Sequence, residues 1–284
     1  MARRVTVFLQ RHPAVSAPKK LLIDFARLTV VMGDRPVLRD LSLQVRRGEH
    51  LAILGANGSG KSSLIKTIFH ELYPLAHTPG RRFEILGREL WEVGELHRKF
   101  GIVSPDLLGR LSYEVTARPV TARELVLSGF FSSIGLWPHH RVTAAQERRA
   151  RAIMDFLSIR HLADRTHSAM SAGEQRRALI GRALVHDPEV LILDEPTNSL
   201  DPGAVREFHA VLRRLVRAGK SLILVTHHVS DIFPEIGRVV LMQGGRIVAD
   251  GPKHKVLTSA ALSRLFRRKL RLVRSKGNYD LVRR

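Results

Sequence analysis

The chain has 284 residues, enough to bury a full core as one large domain or two small ones, and its 44% hydrophobic and 26% charged content is that of an ordinary globular protein. No apolar run approaches the roughly 18–20 residues that span a bilayer, and the absence of cysteine excludes disulfides, thiolate chemistry and cysteine-ligated zinc while fitting a reducing cytoplasm. The net charge of +21 is concentrated at the ends: residues 1–20 hold five Lys/Arg and no acid, residues 253–284 hold eleven against Asp280 alone, and the body keeps +6.

Residues 1–20 read as a basic arm with no sustained apolar stretch, so no signal peptide is expected. Two strand-like runs follow, Leu21–Val31 and Pro36–Val45, parted by a turn at Gly33-Asp34-Arg35-Pro36. The apolar run Leu51-Ala52-Ile53-Leu54 then leads into Gly55, Ala56, Asn57, Gly58, Ser59, Gly60, Lys61, Ser62 and Ser63, the pattern G-x-x-x-x-G-K-S. Glycines at these positions let backbone N–H groups turn inward as an anion nest at a helix N-terminus. Lys61 is expected to reach the β- and γ-phosphates of a nucleotide, and the Ser62 hydroxyl to sit on Mg²⁺. Strand, loop and a helix from about Lys61 to Glu71 come in the order that the motif requires.

Residues 81–104 read as short strands and turns ending at Gly101-Ile102-Val103. From about 106 to 170 the pattern becomes helical, with capping boxes at Thr121…Glu124 and Thr143…Gln146. A helix near 172–186, the strand Val190–Leu193, a helix over 203–217 and the strand Leu222–Val225 follow. The third of these has an apolar face of Val205, Phe208, Val211, Leu212, Leu215 and Val216 and stops at Gly219. From Val256 the tail reads as a helix and a small hairpin. Alternating strands and helices around a phosphate loop argue for an α/β core with a parallel sheet. The fourteen histidines are scattered, and the pairs His139-His140 and His227-His228 lack the i, i+4 spacing of a shared helix face, so no structural metal site is expected.

Val190-Leu191-Ile192-Leu193-Asp194-Glu195-Pro196-Thr197 supplies a second site. Four apolar residues make a buried strand, and two carboxylates stand at its C-terminal end, where ligands bind in open α/β sheets. Asp194 is expected to hold Mg²⁺ and Glu195 to orient and deprotonate an attacking water.

These residues resemble the ATP-binding cassette (ABC) family. Met170-Ser171-Ala172-Gly173-Glu174 is similar to the family signature, written L-S-G-G-Q, while Ser171…Glu174 is also a capping box. Asn198-Ser199-Leu200-Asp201 is similar to the D-loop, and Asp201-Pro202 is also a good N-cap and N1 pair. Val225-Thr226-His227 is similar to the segment carrying the switch histidine. The resemblance covers about residues 21–255 and implies a P-loop NTPase core with an antiparallel β subdomain and an inserted helical subdomain, between the basic arm (1–20) and the basic tail (256–284). It further implies ATP hydrolysis by a head-to-tail homodimer, each ATP lying between the phosphate loop of one subunit and Ser171/Gly173 of the other, with His227 steadying the γ-phosphate.

Two family positions differ. Met32 stands where an aromatic stacks on adenine, and its polarizable sulfur makes a softer contact. No glutamine occurs between Gln44 and Gln146, and at the place of the family's Q-loop Asp106 offers a substitute oxygen ligand.

Without a membrane span of its own, such a cassette is expected to dock a separate transmembrane permease on the cytoplasmic face. The stretches Leu127–Phe131 and Ile134–Trp137 supply apolar surface either for that docking or for packing inside the insert. The tail is similar to those of cassettes serving importers of small ligands such as metal chelates or oxyanions. The basic ends suit anionic lipid headgroups, or a nucleic-acid backbone if this is instead a soluble ABC ATPase acting on nucleic acid or ribosomes. Translation-type members carry two cassettes and repair-type members carry long coiled coils or zinc modules, and this chain carries neither. A small-molecule kinase fails on the signature and on Glu195.

Overall fold

The computed structural model describes residues 20–105, 107, 118–275 and 277–283; the arm (residues 1–19) and Asp106 lie outside them. Strands β1 (Leu21–Met32) and β2 (Arg35–Arg46) form a long hairpin whose turn is Gly33-Asp34 alone, because Arg35 and Pro36 already pair with Met32 and Val31. Strand β3 (His50–Leu54) leads through the phosphate loop into helix α1 (Lys61–Ile68). This helix is shorter than the expected run to Glu71: Phe69 closes it and His70 turns left-handed at φ 59°.

Next come β4 (Arg82–Ile85), α2 (Val93–Lys99) and β5 (Phe100–Val103). Helix α2 was not expected between these strands. Glu95 in its first turn and His97, Arg98 and Lys99 in its last suit the helix dipole, but Leu96 is its one buried residue, too little for a visible period. The helical stretch holds α3 (Ala122–Ser128) and α4 (Ala144–Phe156), each opened by the complete capping box read from the sequence. Then follow α5 (Ala172–Leu184), β6 (Val190–Asp194), α6 (Pro202–Arg217), β7 (Ser221–Thr226), β8 (Arg238–Gln243) and β9 (Arg246–Pro252). The chain closes with α7 (Lys253–Val256), α8 (Ser259–Phe266) and the hairpin β10 (Leu270–Ser275) and β11 (Asn278–Arg283).

Two compact units divide the chain. One comprises the described residues of 15–96 and 221–284. It holds the antiparallel sheet β2-β1-β4 and a run of strands β7-β3-β8-β9, in which β3 pairs parallel with β7 and β8, and β9 closes antiparallel on β8. Every residue of β7, and all of β3 after His50, is buried. Parallel strands covered on both faces read as unbroken apolar runs, which is why Leu51–Leu54 and Leu222–Val225 stand out in the sequence.

The other unit is built on residues 97–220. Here β5 pairs parallel with β6, and the helices pack through small residues: a Cβ on Gly181 of α5 would lie 2.9 Å from Val126 of α3. Helix α6 buries Phe208, Val211, Leu212 and Leu215, while Val205 and Val216 are half-buried at its margin. In the apolar stretch of the insert Leu127, Ser128, Gly129, Ile134 and Gly135 are buried, and Trp137 remains 45% exposed. Internal packing therefore takes most of that stretch and leaves Trp137 as its one exposed large apolar side chain.

Candidate nucleotide site

The phosphate loop is framed by its own unit. Leu54 lies opposite Thr226 in the β3–β7 register, and the Gly55 N–H donates to the Thr226 carbonyl at 3.3 Å, so the loop and His227 leave neighbouring strands at the same edge. A Cβ on Gly55 would lie 2.4 Å from Ser59 Oγ and 2.6 Å from the Met242 carbonyl oxygen. Gly60 is the N-cap of α1 at φ 104°, a conformation open to glycine, and it contributes no capping side chain. The first-turn N–H groups of α1 thus face the loop with the positive end of the helix dipole behind them.

Two buried side chains line this nest. Lys61 Nζ donates to the carbonyls of Gly55 at 2.8 Å and Ala56 at 3.2 Å. Ser59 is 5% exposed, and its hydroxyl has no hydrogen-bond partner among the described residues. Buried polar atoms are nearly always satisfied, so an orphaned hydroxyl in a cationic, N–H-lined loop fits an anionic oxygen. Asn57, Gly58 and Ser62 are exposed, and Ser63 is half-buried.

Sequence reasoning missed two supports. Gly244 and Gly245 turn β8 into β9 with φ 56° and 78°. The Gly245 N–H donates to the Ser59 carbonyl at 2.9 Å, and a Cβ on Gly245 would sit 2.5 Å from the Val37 carbonyl oxygen. The Gly-Gly pair between two strand-like runs was the available signal. The second support is Asp231, which is 2% exposed. The Thr226 hydroxyl donates to its carboxylate and accepts the His228 N–H at 3.0 Å, fixing the bend that carries His227. Met32 ends β1 at 58% exposure.

The remaining candidates lie in the other unit. Strand β6 carries Asp194 at its buried C-terminal end, and Glu195 follows on left-handed backbone at φ 48°. A non-glycine residue held there stores strain that the surrounding turn must offset. That turn is closed by the Asn198 N–H on the Glu195 carbonyl at 3.3 Å and the Leu200 N–H on the Thr197 carbonyl at 3.1 Å. Asp201 caps α6, accepting the N–H groups of Ala204 at 3.0 Å and Gly203 at 2.7 Å, which hold its carboxyl below the usual range.

Ser171 caps α5 in the expected box: its hydroxyl accepts the Glu174 N–H, and the Glu174 carboxylate accepts the Ser171 N–H at 2.7 Å. That bond, with the Ser171 side chain, lowers the Glu174 pKa. Gly173 faces the first turn of α6, where its Cβ would meet Ala204 at 3.5 Å. One turn on, Arg177 pairs with Glu207 at 3.2 Å. The structure thus brings Gly55–Ser63 and His227 together in one unit, and Ser171–Glu174 and Asp201 together in the other, which also holds Asp194 and Glu195.

A family model described as ABC transporter matches residues 38–198. The ABC transporter ATP-binding protein YlmA of Bacillus subtilis (strain 168), uncharacterized, is 33% identical over 253 residues, covering 87% of this chain and 91% of YlmA. The phosphonates import ATP-binding protein PhnC of Stutzerimonas stutzeri is 32% identical over 240 residues, covering 84% of each chain. Among solved structures, CbiO1 of Clostridium perfringens, part of the ABC transporter complex CbiONQ, superposes with a TM-score of 0.71 at 26% identity, covering 87% of this chain and 94% of CbiO1.

Proposed function

The chain belongs to the ABC transporter family, and on that premise we propose that it binds and hydrolyses ATP as one of two identical cassettes that drive a separate permease on the cytoplasmic face of a membrane. The observation that carries this reading is the loop Gly55–Ser63, with its glycine-built backbone, buried Lys61 and unsatisfied Ser59 hydroxyl at the start of α1.

Each residue has a role that its position supports. Backbone N–H groups of the loop and Lys61 neutralise the β- and γ-phosphates. By the family resemblance, Ser62 and Asp194 are the residues that would hold Mg²⁺, a cation that takes most of its other ligands from phosphate and water. When bound, Mg²⁺ adds positive charge against the transferring phosphoryl group. Glu195 orients the attacking water and takes its proton, and His227 donates to the γ-phosphate from a bend held by Thr226 and Asp231. Ser171 and Gly173, at the N-terminus of α5, meet the nucleotide held by the second copy, and Asp201 orders the start of α6 beside them.

The basic tail adds a surface contact. Arg267, Arg268, Lys269 and Arg271 are exposed around the β10 end of the hairpin, and Val273 and Val282 present apolar tips beside Arg271 on its outer face. Tyr279 is buried beneath Lys253 and Arg274, so this hairpin offers no exposed aromatic for base stacking. We assign this face to anionic lipid headgroups, each cation contributing about 1 kcal/mol near such a surface. Tagged protein purified from its native cells in detergent, at low and high salt, tests the reading. A polytopic membrane protein retained at high salt supports it; nucleic acid or ribosomes alone, washed off by salt, contradict it.

A further inference from the structure

Arg176 stands in the fifth position of α5 and is only 8% exposed. One terminal guanidinium nitrogen, Nη2, donates to the Asn198 carbonyl at 3.3 Å; the other terminal nitrogen, Nη1, is buried with no hydrogen-bond partner among the described residues. Burial drives the arginine pKa down, the mark of a cation held where the protein solvates it poorly. If this position served packing alone, a methionine or leucine of similar volume would fill it without the cost of desolvating a charge. A guanidinium adds directional donors in a rigid fork.

What the fork holds is informative. Asn198, whose carbonyl accepts from Arg176, donates its own N–H to the carbonyl of Glu195. Glu195 sits on strained backbone at φ 48° and Ser199 at φ 65°, so the turn between them relaxes unless something pins it. Arg176 is one helical turn beyond Gly173 and next to Arg177, the residues by which α5 touches α6 at Ala204 and Glu207. The path from the signature residues to the carboxylate is short: Ser171 and Gly173 on α5, Arg176 on the same helix, then Asn198, then Glu195.

From this geometry we infer that Arg176 is a positioning residue, a buried strut that pins the Glu195–Asn198 turn to the signature helix so that the carboxylate is aimed only while α5 is in place. The inference rests on the role given to Glu195 above. Removing the strut misplaces the carboxylate without touching the phosphate loop, so turnover falls while nucleotide binding stays. Misplacement on the order of an ångström reduces rates roughly ten- to a hundredfold.

The test is a double-mutant cycle on the full chain, with Arg176→Met and Glu195→Gln alone and together, reading kcat, affinity for a fluorescent ATP analogue and melting temperature. The expected result is that Arg176→Met melts at or above the parent temperature, binds the analogue as the parent does and loses at least about tenfold in kcat. The double variant falls no further than Glu195→Gln alone, and Arg176→Lys, which keeps one donor, recovers part of the loss. Parental turnover by Arg176→Met, or losses of equal size in both backgrounds, overturns the strut. If Arg176→Met fails to fold, the Arg176→Lys to Arg176→Gln comparison in the two backgrounds decides by the same criterion. Parental turnover by Glu195→Gln overturns the Glu195 role instead, and so separates that failure from a failure of the strut.

Discussion

At the scale of single residues, the candidate site depends on a few backbone positions that tolerate little. Gly245 combines φ 78° with a Cβ position 2.5 Å from the Val37 carbonyl oxygen and supports the loop at Ser59. Gly245→Ala is therefore expected to destabilise the protein by about 1–3 kcal/mol and to weaken nucleotide binding. Thermal unfolding with and without ATP checks both effects. Met32 is a milder case. Exposed at the end of β1, it leaves room for a ring where the family places an aromatic, so Met32→Tyr should tighten ATP binding by roughly three- to tenfold through stacking. Unchanged affinity in a calorimetric titration would place adenine elsewhere. Lys61, tethered to Gly55 and Ala56, is the residue whose change to alanine should abolish binding while leaving the melting temperature of the nucleotide-free protein near that of the parent.

At the scale of elements, the helix starts are set by side chains. Ser171 and Asp201 cap α5 and α6, the two helices that begin at the signature-like and D-loop-like segments. Ser171→Ala and Asp201→Ala should each lose about 1 kcal/mol of stability, and Ser171→Ala should lose turnover as well if the serine also meets the second nucleotide. Histidines packed between elements give a pH dependence. His70 lies against Phe83 and Tyr73, His167 is buried, and His186 is half-buried, edge-on to Phe130. Burial lowers the pKa of each, with the Gly129 carbonyl partly offsetting this at His186. The unfolded chain then binds protons near pH 6.5 that the folded chain resists, so stability is complete above that pH and falls as pH drops below it. Melting temperatures at pH 7.5 and 5.5 should show the loss, and His70→Phe should reduce it.

The same elements show what was legible in the sequence. The buried strands β3, β6 and β7, the capped helices α3, α4 and α5 and the phosphate loop were readable because each is signalled locally by an apolar run, a capping box or a glycine pattern. Helix α2, with one buried residue, has no such signal. The ends of α1 and of the β1–β2 turn depended on φ at His70 and on the pairing of Pro36, which are tertiary outcomes. Gly245, Asp231 and Arg176 were missed for a related reason. Each acts on the candidate site through a backbone group distant in sequence or through a neighbour's hydroxyl, and residue type alone does not reveal such contacts.

At the scale of the whole molecule, the proposed function depends on charge and assembly. The cations of the tail predict salt-sensitive adhesion to anionic vesicles: the full chain should sediment with phosphatidylcholine–phosphatidylglycerol vesicles and not with phosphatidylcholine alone. Changing Arg267, Arg268, Lys269 and Arg271 together to serine should weaken this without changing ATP turnover. The sequence has one phosphate loop and one signature-like segment, so the composite site proposed above needs two copies. Light-scattering mass of the Glu195→Gln protein, with ATP and Mg²⁺ and again with ADP, is the most direct test of that claim. A mass of two chains with ATP and of one chain with ADP is the predicted result; a single chain in both, with ATP demonstrably bound, would contradict it.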